Sequence, residues 1–291
     1  MKHGLVYLLL AMSMACSCVN ADKAYVRKAV RLMDKSGLFA EGPEWDAARA
    51  EALSAAPQTP DEAKDIVRKA LKVAGGKHSF IKVSENVVED ANSEWKMPTV
   101  SFEEDGIAVI ALPAFSGPAG EGVRYASTVL EALPDTLPGV VIDLRGNTGG
   151  NMYPMISAVH RFLPDDDILR FRTRKRTNWI SLRFVLQGTG VAAKAPVDCR
   201  VAILTDDMTA SSGEAVLLTF RGLENVRTFG APTAGYASAN TTFPMPDGSQ
   251  LVLTTGCDVA RTGEVFCDDP IAPDVLTDSP MKDALAWLRG L

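Results

Sequence analysis

The sequence has little that supports nucleic-acid, metal or nucleotide chemistry. Its 291 residues carry a net charge of −6, whereas nucleic-acid binding calls for a basic patch, so we expect no nucleic-acid partner. None of the five cysteines forms a C-x-x-C pair of the kind that binds zinc. The Gly-Lys-Ser/Thr of a P-loop and the Gly-x-Gly-x-x-Gly of a dinucleotide site are also absent. We therefore expect neither a metal nor an organic cofactor.

Apolar runs long enough to cross a membrane are absent too, and the one marked apolar segment lies at the N-terminus. Residues 1–21 have a positive start, a short apolar run and small residues before Ala21, which is typical of a secretory signal peptide. The surroundings of Cys16 and Cys18 also resemble a bacterial lipoprotein signal, and both interpretations stay open. We expect an exported protein, periplasmic or extracellular, that a lipidated Cys16 or Cys18 would attach to a bacterial membrane.

Three cysteines remain after such a signal, namely Cys199, Cys257 and Cys267. The last two lie close together on a predicted hairpin and are the favoured disulfide pair. Three buried thiols are the alternative that composition alone favours.

Residues 22–97 are predicted to form an N-terminal helical region followed by a linker. Helices are expected over Lys23–Ser36, over Trp45–Ala55, and from Thr59, where a capping hydroxyl precedes a proline and a glutamate. The third helix should end at Gly75-Gly76. His78 follows in a glycine-flanked loop, and residues 84–97 are polar enough to form the linker.

Residues 98–291 are predicted to form an α/β core domain with a mainly parallel sheet. Short β-branched runs alternate with helical patterns, which is typical of βαβ crossovers with flanking helices. The strands are expected at Ile107–Leu112, Val140–Leu144 and Val201–Leu204, and the helices at Gly122–Leu133, Met152–Leu163 and Ser212–Leu223. A C-terminal hairpin region, with its turn at Asp247-Gly248, and a last helix over Met281–Leu291 complete the domain.

Two loops at the carboxyl ends of predicted strands are candidates for a site, because ligands of open α/β sheets bind there. Arg145–Asn151 is glycine-rich and can expose backbone amides to an oxyanion, although a tight turn alone would need the same glycines. Thr205–Glu214 runs into a helix whose first residues are Ser211 and Ser212. Ser211 with Glu214 fits a capping box, and it equally fits a nucleophile at the positive end of a helix.

A nucleophilic serine needs a base, and only His78 and His160 lie beyond the signal. His160 falls within a predicted helix, where we expect a helix-surface or packing residue. His78 lies in a loop just past a helix end, where a polar side chain is better placed to line a cleft.

Together these segments resemble the C-terminal processing peptidases, also called tail-specific proteases, and their relatives, the tricorn core protease and the interphotoreceptor retinoid-binding protein repeats. The resemblance covers about residues 75–275. It depends on five segments in the same order: Gly-Lys-His-Ser (76–79), Ile-Asp-Leu-Arg-Gly-Asn-Thr-Gly-Gly (142–150), Thr-Ala-Ser-Ser-Gly-Glu (209–214), Gly-Ala-Pro-Thr-Ala-Gly (230–235) and Pro-Ile-Ala-Pro-Asp-Val (270–275). It implies a ClpP/crotonase-like core with Ser211 as the nucleophile and an oxyanion hole from the amides of Gly150 and Ser212.

One departure bears on the mechanism, because the processing peptidases have a lysine base where this chain has Tyr236. The tricorn-like branch instead uses an early histidine, a neighbouring serine and a later acid. His78 and Ser79 match the first two, and Asp268 or Asp269 occupies the stretch of the acid, where a surface charge is the alternative. The linker is too short for the PDZ module that many processing peptidases carry.

We therefore predict a serine peptidase acting on a peptide or protein substrate, with His78 as the general base of Ser211. The alternatives are a catalytically inactive peptide- or lipid-binding protein on the same scaffold, an esterase for small substrates, and a Ser-Lys version that uses Lys77.

Overall fold

The computed structural model describes residues 21–83, 95–164 and 166–291. The expected signal, with Cys16 and Cys18, and residues 84–94 of the expected linker lie outside the described residues. The described chain forms two compact units, and each unit collects separate stretches: 21–83 with 240–255, and 95–239 with 256–291. Residues 240–255, which the sequence assigns to the core domain, thus group with the N-terminal helices. No helix within the described residues is long and apolar enough to cross a membrane.

The first unit is mainly helical, and it also contains residues 240–255, which include parts of two strands. Its elements are α1 over residues 21–36, α2 (Gly42–Ser54), α3 (Pro60–Gly75), β1 (Phe80–Lys82), and parts of β9 (Ser238–Pro244) and β10 (Gln250–Val259). The predicted start of α3 is confirmed, because the Thr59 hydroxyl accepts the Glu62 amide at 3.2 Å. The Glu62 carboxylate, however, accepts from the amide of Gln58 (2.8 Å). The helix ends at Gly75 and is capped by Gly76, whose φ of +67° suits glycine.

Apolar side chains from the three helices and from β10 form the core of the first unit. Met33, Val67 and Leu253 are each fully buried in this cluster. β1 pairs antiparallel with the start of β10, with Phe80 opposite Val252. The strand pair therefore anchors the segment that follows α3, which includes His78.

The second unit contains a six-stranded, largely parallel sheet, as the sequence predicts. Its strand order is β12-β8-β7-β4-β3-β2, and only β2 is antiparallel to its neighbour. The elements are β2 (Thr99–Phe102), β3 (Ala108–Ala111), α4 (Ala119–Ala132), β4 (Gly139–Asp143), α5 (Met152–Val159), β5 (Asp167–Thr173), β6 (Thr177–Ser181), α6 (Leu182–Thr189), β7 (Arg200–Thr205), α7 (Ser212–Phe220), β8 (Val226–Gly230), β11 (Val265–Phe266), β12 (Val275–Leu276) and α8 (Pro280–Leu288).

Both faces of the parallel sheet are covered, which explains why its strands are continuous apolar runs. On β4, Val140 and Ile142 belong to one apolar cluster with side chains of α4, α5 and α7, whereas Val141 packs in a second cluster with α8. β4 and β7 are adjacent parallel strands, with Asp143 opposite Leu204. Their carboxyl ends therefore lie at the same sheet edge, and the two candidate loops emerge side by side.

The structure also answers two questions about residues outside the parallel sheet, namely the state of the three cysteines and the position of His160. Cys257 and Cys267, the pair expected if a disulfide forms, are bonded, so the interpretation as three buried thiols is wrong. Cys199 is a buried free thiol whose pKa burial raises to about 11. His160 lies beyond the end of α5, which is shorter than predicted, in a 3₁₀ turn over His160–Phe162.

His160 is a packing residue, one of the two roles expected for it. Its Nε2 accepts the Lys194 amide at 2.9 Å, so the neutral ring donates from Nδ1 to the Ser157 carbonyl at 2.7 Å. Burial lowers the pKa of His160, which favours this neutral form.

Candidate active site

The loop after β4 is held in shape by Asn147, a side chain that the sequence did not single out. Asn147 is fully buried. Its Nδ2 donates to the Leu112 carbonyl at 2.8 Å, and its Oδ1 accepts the Gly149 amide at 2.9 Å. Its own carbonyl accepts the Ala210 amide at 2.9 Å. Asn147 thus joins the glycine-rich loop both to the end of β3 and to the loop that carries Ser211.

The paired glycines of this loop are required by close packing. Gly149 and Gly150 have φ values of +106° and +107°. A β-carbon on Gly150 would lie 2.1 Å from the Phe115 carbonyl oxygen, and one on Gly149 would lie 2.8 Å from the Ser211 Cβ. Residue 149 therefore has to be glycine for the loop to approach Ser211, and residue 150 has to be glycine for it to approach the Phe115 backbone.

Ser211 adopts a strained backbone conformation at the start of α7. Its φ is +51° and its ψ is −116°, and within the described chain it is the only non-glycine residue with a positive φ. Such strain costs about 1–3 kcal/mol and is concentrated at functional sites. The sharp strand-to-helix turn that exposes a nucleophile in α/β-hydrolases is strained in a comparable way.

Two backbone amides beside Ser211 are available to a ligand. Among the described residues, neither the Gly150 N–H nor the Ser212 N–H donates to a protein acceptor. The Ser212 hydroxyl donates to the Gly150 carbonyl at 2.6 Å, which connects the two residues. Because Ser212 also begins a helix, the field there favours a negative charge. The arrangement suits the oxyanion of an acyl-transfer reaction.

Glu214 is the buried group that supports the Ser211 turn. Its carboxylate accepts the amides of Ser211 (2.8 Å), Gly235 (2.9 Å) and Tyr236 (2.7 Å), and the Thr233 hydroxyl also donates to it. Burial raises the pKa of Glu214, and these four donors oppose that rise. Glu214 thus accepts the Ser211 amide, as the capping-box interpretation predicts, and the same hydrogen bond supports the candidate site.

The acid candidates lie on a segment that packs against the same loop. Asp268 is half-buried and Asp269 is exposed. A β-carbon on Gly235 would lie 2.9 Å from the Asp269 carbonyl carbon, and Gly235 donates to Glu214. The Cys257–Cys267 disulfide precedes this segment.

The segment is fixed on its other side by two hydrogen bonds between Ile271 and Thr233. The Thr233 amide donates to the Ile271 carbonyl at 3.1 Å, and the Ile271 amide donates to the Thr233 hydroxyl at 2.8 Å. The second unit therefore contains Gly150, Ser211 and Ser212. It also contains both acid candidates, on a segment that packs against Gly235 and is hydrogen-bonded to Thr233.

His78 and Ser79 belong to the first unit. Both are half-buried, and the His78 carbonyl accepts the Asn240 side-chain amide at 3.1 Å. The Ser79 hydroxyl donates to the Gly75 carbonyl and accepts the Thr254 amide, each at 2.8 Å. Ser79 therefore fixes the backbone next to His78 against β10.

A model of peptidase family S41 matches residues 106–277, which is more than half of the chain. The chain belongs to this family. The family match covers both candidate loops and the acid segment, while His78 and Ser79 lie before it.

Relatives of the S41 chain extend over nearly its whole length. The nisin-resistance protein of Lactococcus lactis subsp. lactis is 31% identical over 280 residues, which span 93% of this chain and 88% of that protein. The solved structure of a lipoprotein from Streptococcus agalactiae has a TM-score of 0.83 at 30% identity and covers 93% of this chain and 96% of its own.

A more distant neighbour is informative about the fold alone. The photosystem II D1 C-terminal processing protease has a TM-score of 0.63 at 13% identity and covers 89% of this chain and 93% of its own. The expected α/β fold is thus confirmed, and the match to peptidase family S41 confirms the expected kinship with C-terminal processing peptidases.

Proposed function

We propose that this S41 protein is a serine peptidase in which Ser211 attacks the carbonyl carbon of a peptide bond. His78 takes the Ser211 hydroxyl proton, and the Gly150 and Ser212 amides stabilise the oxyanion, each donor contributing about 3 kcal/mol to the transition state. His78 then returns the proton to the leaving amine, and water releases the acyl group from Ser211 by the same route.

The observation that carries this proposal is the strained turn at Ser211. Next to it lie the Gly150 and Ser212 amides, which donate to no protein acceptor among the described residues. A helix cap alone needs neither a positive φ at the serine nor a glycine packed against the serine's β-carbon. Strain of this kind persists only where surrounding contacts enforce it, here through Asn147 and Glu214.

The choice of His78 as base is supported by chemistry. Tyr236 stands where processing peptidases have a lysine, and a tyrosine hydroxyl is a poor general base at neutral pH. His160 is committed to packing through both ring nitrogens. We assign Ser79 and either Asp268 or Asp269 to the orientation of the His78 ring.

We propose further that the protein is exported, periplasmic or extracellular, and held at a membrane by a lipidated Cys16 or Cys18. A disulfide between Cys257 and Cys267 fits an oxidising compartment. The likeness to a Streptococcus agalactiae lipoprotein supports the anchor. The substrate is a peptide or protein, and the likeness to a nisin-resistance protein makes nisin the first peptide to test.

The nucleophile and base are tested by labelling with a fluorophosphonate and by peptide cleavage followed by mass spectrometry. We expect the wild type to be labelled, and Ser211→Ala and His78→Ala to lose both activities. Ser101→Ala, an exposed serine on β2, and His160→Asn are the matched controls that keep the label.

Three outcomes would redirect the proposal. A wild type without labelling at any pH indicates a binding protein on the same scaffold. Hydrolysis of nitrophenyl esters without cleavage of any peptide indicates an esterase. Activity that survives His78→Ala but not Lys77→Ala indicates a lysine base.

A further inference from the structure

Asp258 is a buried carboxyl group that the proposed mechanism does not use. It lies on β10 and is only 2% exposed, and among the described residues its Oδ1 has no hydrogen-bond partner. Its cross-strand neighbours are Phe171 on β5 and Phe266 on β11. An ionised carboxylate in such surroundings is strongly disfavoured unless a cation or several donors compensate it. The surroundings therefore favour the protonated form of Asp258.

The charged group that acts on Asp258 is Glu214, on the first turn of α7. On β5, Arg170 and Arg172 flank Phe171, so strand alternation directs both away from the face that Asp258 shares. Burial raises the pKa of Asp258 well above its ordinary value, and the nearby Glu214 raises it further. Two neighbouring buried carboxyl groups do not readily ionise together. Because four donors stabilise the carboxylate of Glu214, Glu214 is the group that carries the negative charge and Asp258 the one that keeps its proton.

A short run of backbone contacts joins Asp258 to the nucleophile. The Asp258 amide donates to the Ala237 carbonyl at 3.4 Å. Ala237 follows Tyr236, whose amide donates to Oε2 of Glu214, and the Ser211 amide donates to the same oxygen. A change in charge at Asp258 therefore acts on the contact that supports the Ser211 turn.

We propose that Asp258 is a positioning residue of the Ser211 site, whose bound proton leaves Glu214 as the single buried charge that holds the Ser211 turn. Loss of that proton places a second negative charge beside Glu214 and loosens the turn. The inference rests on the proposed function, because it takes Ser211 as the nucleophile. It gives the site an upper pH limit that is independent of the histidine base.

The test measures the rate of fluorophosphonate labelling of the whole exported chain from acidic to alkaline pH. The wild type should lose labelling on the high-pH side of its profile, which we call the alkaline limb, because Asp258 gives up its proton there. Asp258→Asn, which keeps the shape but cannot ionise, should remain active and move this alkaline limb upward by about one pH unit or more. Asp167→Asn removes an exposed carboxylate on β5 and should follow the wild type.

Asp258→Leu, of similar size and also unable to ionise, serves the same comparison where Asp258→Asn does not fold. A limb that coincides with the wild type in the folded variants would overturn this inference and leave the proposed function intact. A wild type that is never labelled would overturn the proposed function, and this inference with it.

Discussion

Gly149 lies so close to Ser211 that a β-carbon at residue 149 would be 2.8 Å from the Ser211 Cβ and 3.0 Å from the Ser212 amide nitrogen. The missing side chain thus lets the glycine-rich loop and the nucleophile loop pack together. The contact at Gly149 sets the distance between the loop after β4 and the loop that carries Ser211. We expect the reactivity of Ser211 to depend on that distance.

We expect Gly149→Ala to reduce fluorophosphonate labelling of Ser211 by at least about 10-fold, because the added methyl group displaces the Ser211 turn. Gly146→Ala is the matched control. Gly146 lies on the same loop with a positive φ of +71°, but a β-carbon there meets no atom within 4 Å. Both variants carry backbone strain, so equal rates in the two would contradict a specific contact at Gly149.

Glu214→Gln should slow labelling and destabilise the fold, because an amide retains only one of the two acceptor oxygens. The four donors then compete for it, and a buried donor left without a partner costs about 1–3 kcal/mol. Urea unfolding measures the free energy, and labelling in the absence of urea measures the rate. A rate loss explained by the unfolded fraction alone would show that Glu214 supports the fold and not the site.

The contribution of Asp258 to the stability of the wild type should fall as the pH rises above the range in which aspartate ordinarily ionises. In the unfolded chain Asp258 loses its proton near pH 4, whereas burial raises its pKa in the folded protein. Between the two pKa values the folded state binds more protons, so the free energy of unfolding decreases with pH, by at most about 1.4 kcal/mol per unit for one group.

Asp258→Asn removes this term. The melting temperature of the variant relative to the wild type should therefore rise as the pH increases from about 4, until Asp258 also ionises in the folded protein. A difference that does not change with pH would show that Asp258 is ionised in the folded protein. Differential scanning calorimetry at several pH values makes the comparison.

Removal of the Cys257–Cys267 disulfide should lower both stability and reactivity. The bond closes a loop with a sequence separation of 10, for which a loss of about 2–3 kcal/mol is expected. The double serine variant should also label more slowly, since Cys267 precedes the segment of Asp268 and Asp269. Cys199→Ser, which changes a buried free thiol, controls for thiol loss alone. Full labelling in the double variant would show that the disulfide does not position the segment of Asp268 and Asp269 for the reaction.

Much of the parallel sheet could be predicted because its strands are apolar on both faces. The strands at residues 140–144 and 201–204 were expected within a residue or two of their bounds. β5 and β6 were missed. Asp167–Thr173 contains two arginines, Thr177–Ser181 is mostly polar, and neither has a long apolar pattern. Such strands are defined by their partners, which the local sequence does not show.

The candidate residues were found through glycine and serine patterns whose reason is local. A loop that needs positive φ values shows its glycines, and a helix start shows its serine and glutamate. Asn147 and Asp258 show no such pattern. In the sequence, Asn147 is an ordinary asparagine in a turn and Asp258 an ordinary acid in a strand. Only the fold brings Asn147 against Leu112 and Asp258 near Glu214.

By itself, the sequence determined the α/β class, the two loops at adjacent strand ends and the residue types able to carry acyl transfer, because periodicity and backbone constraints are written locally along the chain. Tertiary structure alone decided the strain at Ser211, the four donors on Glu214 and the burial of Asp258. These features depend on desolvation and on contacts between distant segments, which arise only when the chain has folded.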